Sequence, residues 1–288
     1  MNATTLMFAA AALPADQARA IVCMIQSNQS TTFERTRGRL EKRFHSSLVR
    51  VLKFAKHETL RKAHRYLYTH RPIMSAEESI DHPDTNKIMF DREELKRDLM
   101  AMLTVELPVT LDLAAADTLA SLGFRDPWKL PHQATLDFVA RRQNLLSKVP
   151  QEIFDIIKKE ITAGLITGEP LRDLAARITG IFDTIDKERA TLIASTETSA
   201  AYAFASHQAS VAAGVTHKKW VHSVIPKVPR PDHLAINGLI VPIDQPYPVG
   251  DPQLMYPHDE NGSAEDVINC RCISIPVPQS EYEAQQNG

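Results

Sequence analysis

Cysteine is scarce in this sequence. The chain has three cysteines in 288 residues, too few for the disulfide framework of a small secreted protein. Cys23 stands alone in an apolar segment, where a free cysteine usually packs as a small buried hydrophobic residue. We therefore expect synthesis in a reducing, intracellular compartment.

Long hydrophobic runs are missing as well. No apolar stretch approaches the ~20 residues that a membrane-spanning helix needs. The first residues are apolar but have no basic residue ahead of them, so we expect a first helix or a loose arm rather than a secretory signal. With 43% hydrophobic and 24% charged residues, the composition is typical of a soluble globular protein, and no membrane partner is predicted.

Positive charge is concentrated in one segment. Residues 35–71 contain 12 Lys or Arg and two Glu, a net charge of +10, while the remainder of the chain carries −12. Apolar residues recur there every three or four positions from Leu40 to Leu67, which predicts one long amphipathic helix ending at Pro72. Eight basic residues occupy its wider polar face: Arg39, Lys42, Arg43, Arg50, Lys53, Arg61, Lys62 and Arg65. This face is either a solvated surface or a contact with nucleic acid or an acidic protein ring.

The sequence predicts a mainly α N-terminal body with a small C-terminal α+β unit of short antiparallel strands and loops. Helical periodicity continues beyond Arg92, with a break expected between Leu107 and Leu111, and ends at Gly214. Three later segments are typical of short strands: "KKWVHSVIP", "GLIVPI" and "CISIPVP". Asn237-Gly238 predicts a type I′ hairpin turn. We expect three regions: N-terminal helices at 1–75, a helical middle at 76–149 and a C-terminal domain at 150–288.

A Cys-x-Cys pair lies near the C-terminus. On an extended segment, Cys270 and Cys272 point to the same side, so both sulfur atoms can approach one ion. His233 and His258 complete a Cys₂His₂ set suited to zinc, although the spacings match no common zinc-finger pattern. Three carboxylates are substitute ligands: Asp232, Asp259 and Asp266. The alternatives are a metal-free loop cluster with packed cysteines, or a Cys–His nucleophile, for which no oxyanion-hole signature is evident.

Glu197 lies on an apolar seam of an Ala-rich helix. A carboxylate buried there needs a partner, because burying it alone costs several kcal/mol. Arg230 and Arg271 flank the cysteine segment, and either could pair with Glu197 and hold the α+β unit on this helix. Trp220 is expected to fill the same core.

Several of these residues resemble the phage Mu F-like minor head (head morphogenesis) family over Pro150–Pro276. The features that carry the resemblance are Thr196-Glu197, Trp220, Arg230-x-x-His233, Gly238, Tyr256-Pro257 and, above all, Asn269-Cys270-Arg271-Cys272 within "VINCRC". Some relatives carry an additional Cys-x-x-Cys before the Arg-x-x-His element, where this chain has "VPRPDH". Others carry a C-terminal toxin, and we expect none here because few residues follow Cys272.

The resemblance implies a non-enzymatic virion protein inside the phage head, made in the host cytoplasm and associated with the portal. It implies a role in head assembly, DNA packaging or DNA ejection, with the portal protein, the capsid interior and packaged double-stranded DNA as partners. Two other hypotheses are open. One is a metal-dependent hydrolase or nuclease that uses His233, His258 and Asp259, with Glu197 as a base. The other is a DNA-binding protein without a virion role.

Overall fold

A computed structural model describes residues 15–70, 84–124, 128–222 and 230–277, together with 279, 282 and 283. In the first helix, side chains are described from residue 32 onward. The predictions for the first residues, for the side chain of Cys23 and for Pro72 therefore lie outside the described part of the chain.

Helices make up most of the described residues, which confirms the predicted mainly α body. They are α1 (Ala15–His70), α2 (Arg92–Ser121), α3 (His132–Leu146), α4 (Val149–Ile166), α5 (Leu171–Thr184) and α6 (Thr191–Ala212). A 3₁₀ turn at Thr85–Lys87 precedes α2, and a π-helical segment at Ile185–Ala190 links α5 to α6. Gly168 and Gly214, which follow α4 and α6, have the positive φ angles expected of glycines at helix ends.

The break predicted between Leu107 and Leu111 is wrong, because α2 is one continuous helix with Pro108 inside it. Proline in a helix interior costs roughly 3 kcal/mol. Leu107, Leu111 and Ala114 are fully buried, and burying each large side chain contributes about 1.5–3 kcal/mol. That burial outweighs the local cost of the proline.

Helix α2 is also long and apolar enough to cross a membrane by length and composition alone. Half of its most apolar window is buried inside the protein. The core helix of a soluble protein passes the same test, so this helix is weak evidence for a membrane span.

A small antiparallel sheet follows the helices, as predicted. Strands β1 (His217–Val221), β2 (Ile240–Pro242) and β3 (Ile273–Val277) have the order β2-β1-β3. Strand β1 pairs with both neighbours, with Lys219 opposite Ile240 on one side and Ile275 on the other. Two short helices interrupt the loops: α7 (Pro231–Ala235) and α8 (Ala264–Val267).

The predicted type I′ hairpin at Asn237-Gly238 is wrong. A I′ turn needs positive φ at both central residues, whereas in this pair only Gly238 has one (φ 86°). The turn instead ends α7 and leads into β2, and the Gly238 N–H donates to the Trp220 carbonyl at 2.8 Å. The connection between β1 and β2 therefore contains a helix rather than a tight turn.

The described chain falls into two compact units, each built from separate segments. Unit 1 comprises Met1–Lys42, Glu106–Phe138 and Ser195–Gly288, and unit 2 comprises Arg43–Val105 and Val139–Ala194. The core of unit 2 contains Phe90, whose ring packs edge-on against Phe154 and Phe182. The sheet and the Cys-x-Cys pair belong to unit 1. The boundaries at residues 75 and 149 stay a prediction.

Candidate functional site

Helix α7 places His233 inside the C-terminal unit. Pro231 starts this short helix, where its missing N–H has no role and its fixed φ suits the first turn. The His233 side chain is only 1% exposed. Arg230, just before the helix, donates from Nη2 to the carbonyl of Ile268 at 2.6 Å and so ties α7 to the segment that precedes the cysteines.

Cys270 and Cys272 both face His233. The two residues lie in the extended chain that leads into β3, both are buried, and neither forms a disulfide. Nδ1 of His233 lies 3.6 Å from Sγ of Cys270 and 3.7 Å from Sγ of Cys272. These three atoms all lie within 4.8 Å of one another. The geometry thus brings one imidazole nitrogen and two thiols to a common point.

His258 interacts electrostatically with Cys270 but is not one of the three residues in this group, and its environment is unusual. Its backbone φ is 65°, a left-handed conformation that costs a non-glycine residue about 1 kcal/mol or more. The side chain is 1% exposed, and neither ring nitrogen has a hydrogen-bond partner. The pKa of the Cys270 thiol is held well below its usual range, chiefly by hydrogen bonding with Cys272, with contributions from His258 and His233.

Asp266 lies on the far side of the His233 ring. Its Oδ1 is 3.8 Å from Nε2 of His233. The Ser263 hydroxyl donates to Oδ2 of Asp266 at 2.8 Å, and the Ser263 side chain accepts from the Asp266 N–H at the start of α8. The carboxylate is therefore oriented by the helix cap, and one oxygen is directed at the histidine.

The other two predicted carboxylates have different environments. Asp259 is buried, and both of its oxygens organise the local loop: Oδ2 accepts from the Met255 N–H at 2.8 Å and Oδ1 from the Asn261 N–H at 3.0 Å. Asp232 is exposed. Of the three substitute ligands, only Asp266 combines partial burial with an oxygen free of a backbone partner.

Trp220 packs against His233 of the Cys–His cluster. The side chain is fully buried, and its ring lies edge-on to His233 at 5.2 Å and to Tyr247 at 5.0 Å between centroids. Strand alternation explains the position, because residues 218 and 220 of β1 face the same side of the sheet. Trp220, Tyr247 and both cysteines belong to one hydrophobic cluster.

The Asn269 backbone connects the cysteine segment to α6. Asn269 has a left-handed φ of 57°, and its N–H donates to the Thr196 hydroxyl at 3.2 Å. The adjacent Glu197 is 2% exposed. Arg230 binds the carbonyl of Ile268 and Arg271 pairs with Glu41, and the pairing of Glu197 with either arginine stays a prediction. A backbone hydrogen bond from Asn269 links the cysteine segment to α6.

Arg271, Glu41 and Arg37 form a charge cluster that sequence reasoning missed. Glu41 of α1 binds the Arg271 guanidinium and lies 3.8 Å from Nε of Arg37. Arg37 is 4% exposed and donates to the Arg271 carbonyl at 3.3 Å. Burial lowers the pKa of Arg37, and the nearby Glu41 opposes that effect. The cluster attaches the N-terminal part of α1 to the Cys-Arg-Cys segment.

Glu41→Gln is expected to lower the free energy of unfolding by about 1–3 kcal/mol, because it leaves the buried guanidinium of Arg37 and the half-buried one of Arg271 without their shared carboxylate. Urea denaturation of the full chain measures the change. Glu265→Gln, which removes an exposed carboxylate from α8, is the control and should change stability by no more than about 0.5 kcal/mol. Equal effects of the two substitutions would contradict this role of Glu41.

Lys218 is a second residue that the sequence did not reveal. It is 1% exposed on β1, and its Nζ donates to the Met255 carbonyl at 2.7 Å and lies 5.2 Å from the centre of the Tyr247 ring. Burial lowers its pKa to about 8. A lysine in a short alternating strand is indistinguishable from a solvent-facing one in the sequence, so no pattern could have identified it.

His207 of α6 gives stability a predictable dependence on pH. Burial lowers its pKa to about 4 from 6.5, with Lys218 acting in the same direction and Asp259 opposing. The unfolded chain therefore binds a proton between these values that the folded chain does not, and stability falls as pH falls from about 6.5 to about 4. In His207→Gln, the free energy of unfolding should fall less over this pH range, by on the order of 1–3 kcal/mol, as measured by denaturation curves at several pH values. The control His57→Gln, at an exposed position, should leave the loss intact; an unchanged profile in His207→Gln would contradict the assignment.

The predicted basic face of α1 is largely exposed. Seven of its residues are exposed: Arg39, Lys42, Arg43, Arg50, Lys53, Arg61 and Arg65. Lys62 is half-buried instead and pairs with Glu58 at 2.8 Å. None of the eight residues belongs to the Cys–His cluster. These basic residues therefore contribute no side chain to the cluster.

Four of these residues lie on one face of α1 in unit 2, and we call them the basic patch: Arg50, Lys53, Arg61 and Arg65. At 100° per residue they lie within about one third of the helix circumference. Phe54 and Tyr68 are on the same face and are 68% and 74% exposed. No ion pair joins the basic patch to a carboxylate in the part of the chain that the structure describes, whereas nearby Lys56 pairs with Asp183 at 2.7 Å.

The helical lead-in, most of the three-stranded sheet and the Cys-Arg-Cys cluster lie in the part of the chain that a family model matches. Residues 155–275 match the model described as "Phage Mu protein F like protein", which confirms the resemblance for this part of the chain.

A relative in Bacillus subtilis (strain 168) matches a larger part of the chain. It is described as "Uncharacterized protein YqbB" and is 23% identical over 198 residues. The match covers 67% of this chain and 65% of the relative, so the chain corresponds to less than two thirds of that protein. No solved structure matches the chain significantly.

Proposed function

We propose that this protein is a minor head protein of a phage particle, located inside the capsid beside the portal. In that position it assists head assembly, DNA packaging or DNA ejection. The observation that carries the proposal is the Mu F-like domain at residues 155–275, which supplies the head-assembly context.

The basic patch is the surface proposed to meet the phage components. Its four side chains project from one exposed helix face and form no ion pair among the described residues, although Lys53 interacts electrostatically with Asp186. Such a face is suited to the closely spaced phosphates of packaged double-stranded DNA or to an acidic surface of the portal. Exposed Phe54 and Tyr68 add apolar contact area on the same side.

The C-terminal domain is proposed to act as a rigid binding module. Its core is held by buried side chains that contact one another: Trp220, Tyr247, Cys270 and Cys272. Backbone and charge contacts attach the Cys-Arg-Cys segment to α6 and α1. A module fixed on several sides in this way presents an unchanging surface to a partner.

The metal-dependent nuclease has less support. A catalytic metal needs an open coordination position and a general base. Both Asp259 oxygens are engaged in the local loop, and His233 and His258 are each 1% exposed, which leaves little access for a DNA strand. Metal-dependent DNA cleavage that disappears in His233→Ala would overturn this preference.

Complementation tests the proposal. A phage that lacks the gene for this protein is supplied with the chain in trans, and infectious and DNA-filled particles are counted. The proposal predicts that particle assembly or filling fails without the chain and recovers with it. Normal yields of filled, infectious particles in its absence would contradict the proposal.

A further inference from the structure

We propose that His233, His258, Cys270 and Cys272 bind one zinc ion, which holds three loop segments of the C-terminal unit together. The inference is independent of the role in the phage head, since it depends only on the geometry of these four residues. A bound zinc ion would also explain why two cysteines and two histidines are buried in this region of the chain.

The distances between the ligand atoms equal those expected at a tetrahedral metal ion, and they also lie within the range of hydrogen bonds to sulfur. Zinc binds thiolate sulfur at about 2.3 Å and imidazole nitrogen at about 2.0–2.1 Å, so a tetrahedral angle separates the two atoms by about 3.6 Å. The observed separations between His233 Nδ1 and the two sulfur atoms are 3.6 and 3.7 Å. One nitrogen at the same distance from two sulfur atoms is the arrangement that a shared ion requires.

Asp266 adds an independent indication. A histidine that binds metal through one nitrogen commonly directs the other at a carboxylate, which fixes the ring orientation. His233 directs Nδ1 at the sulfur atoms, while Nε2 lies 3.8 Å from Asp266 Oδ1. We assign Asp266 as a positioning residue that acts through His233.

His258 is the best candidate for the fourth ligand. Buried polar atoms nearly always have partners, yet both ring nitrogens of His258 lack one and the side chain is 1% exposed. Its backbone has a left-handed φ of 65°, and its ring nitrogens lie outside the group of ligand atoms within 4.8 Å of one another that His233, Cys270 and Cys272 form. A ring turned toward the two sulfur atoms completes a Cys₂His₂ tetrahedron and gives one of its nitrogens a partner.

The donor set selects the metal. Two thiolates and two imidazoles favour zinc over magnesium and calcium, which prefer oxygen ligands. All four side chains are buried, and a site closed by four protein ligands is structural rather than catalytic. The proposed ion connects helix α7, the loop at His258 and the segment before β3, so folding of this unit is coupled to metal binding.

Metal analysis of the full-length chain, purified without a histidine tag or chelator, is the first test. We expect one zinc per chain by elemental analysis. Replacement by Co²⁺ should give the visible d–d bands of a tetrahedral ion and thiolate charge-transfer bands in the near ultraviolet. Cys23→Ser replaces the one cysteine outside the proposed site and should leave both sets of Co²⁺ bands unchanged. Less than one tenth of an equivalent of zinc, with no uptake by the reduced protein, would overturn the proposal.

Two variants then test the individual roles. His258→Ala should weaken zinc binding about 100-fold, since each of four ligands carries a comparable share of the affinity. Asp266→Asn should weaken it about 10–100-fold while the Co²⁺ spectrum keeps its thiolate bands. His57→Ala, at an exposed position of α1, is the matched control and should not change the affinity. Wild-type affinity in His258→Ala would remove that residue from the ligand set, and Co²⁺ bound without thiolate bands would contradict the site altogether.

Discussion

Trp220→Ala is expected to lower the free energy of unfolding by about 3–5 kcal/mol, the largest single-residue effect in the C-terminal unit. The indole is fully buried and packs edge-on against His233 and Tyr247. Its removal leaves a cavity in a cluster that has few other large side chains, so the surroundings cannot easily fill it. Chemical denaturation followed by far-ultraviolet circular dichroism measures the change.

Trp128→Ala is the matched control for this experiment. Trp128 is the second tryptophan of the chain and is only half-buried, so its loss removes less packing and should cost clearly less. Trp220→Phe keeps an aromatic ring in the core and should fall between the two. Equal costs for the alanine variants at 128 and 220 would mean that Trp220 does not anchor the unit.

Neutralising the basic patch is expected to weaken binding of double-stranded DNA by on the order of 100-fold at low salt. The variant replaces Arg50, Lys53, Arg61 and Arg65 with Gln. Each phosphate contact adds about 0.9 to the slope of log affinity against log salt, so the slope should fall by about 3–4. Fluorescence anisotropy with a labelled duplex across a salt series gives both quantities.

A second quadruple variant separates the patch from net charge. Arg97, Lys159, Arg172 and Lys187 are exposed residues of unit 2, and their replacement by Gln removes the same four charges elsewhere. DNA affinity should then fall only slightly. Equal losses of DNA affinity in both variants would mean that net charge, and not the basic patch, determines DNA binding. No loss of affinity in either variant would contradict DNA as the partner and favour an acidic protein surface.

Local patterns accounted for most of the helical architecture. The apolar repeat from Leu40 to Leu67 is a local property of α1, and Leu40, Phe44 and Leu48 are buried as that pattern requires. Two predictions were wrong because they depended on strong local signals: Pro108 predicted a helix break, and Asn237-Gly238 predicted a hairpin turn. Tertiary packing overrides the first, and a helix inserted between the paired strands replaces the hairpin expected at the second.

The site was predictable by residue type but not by partner. The Cys-x-Cys spacing and the scarcity of other cysteines singled out Cys270 and Cys272. Glu41, in contrast, binds Arg271 across 230 positions of sequence, and no single-chain pattern reports such a contact. The pairing expected for Glu197 stays a prediction, because burial of a carboxylate does not reveal which cation approaches it.

Quantitative mass spectrometry of purified phage particles tests the central claim most directly. The copy number of this protein is normalised to that of the major capsid protein, before and after mild disassembly that releases the portal. The account predicts a few copies per particle that leave together with the portal. An abundant protein in the lysate that is missing from the particles would contradict it.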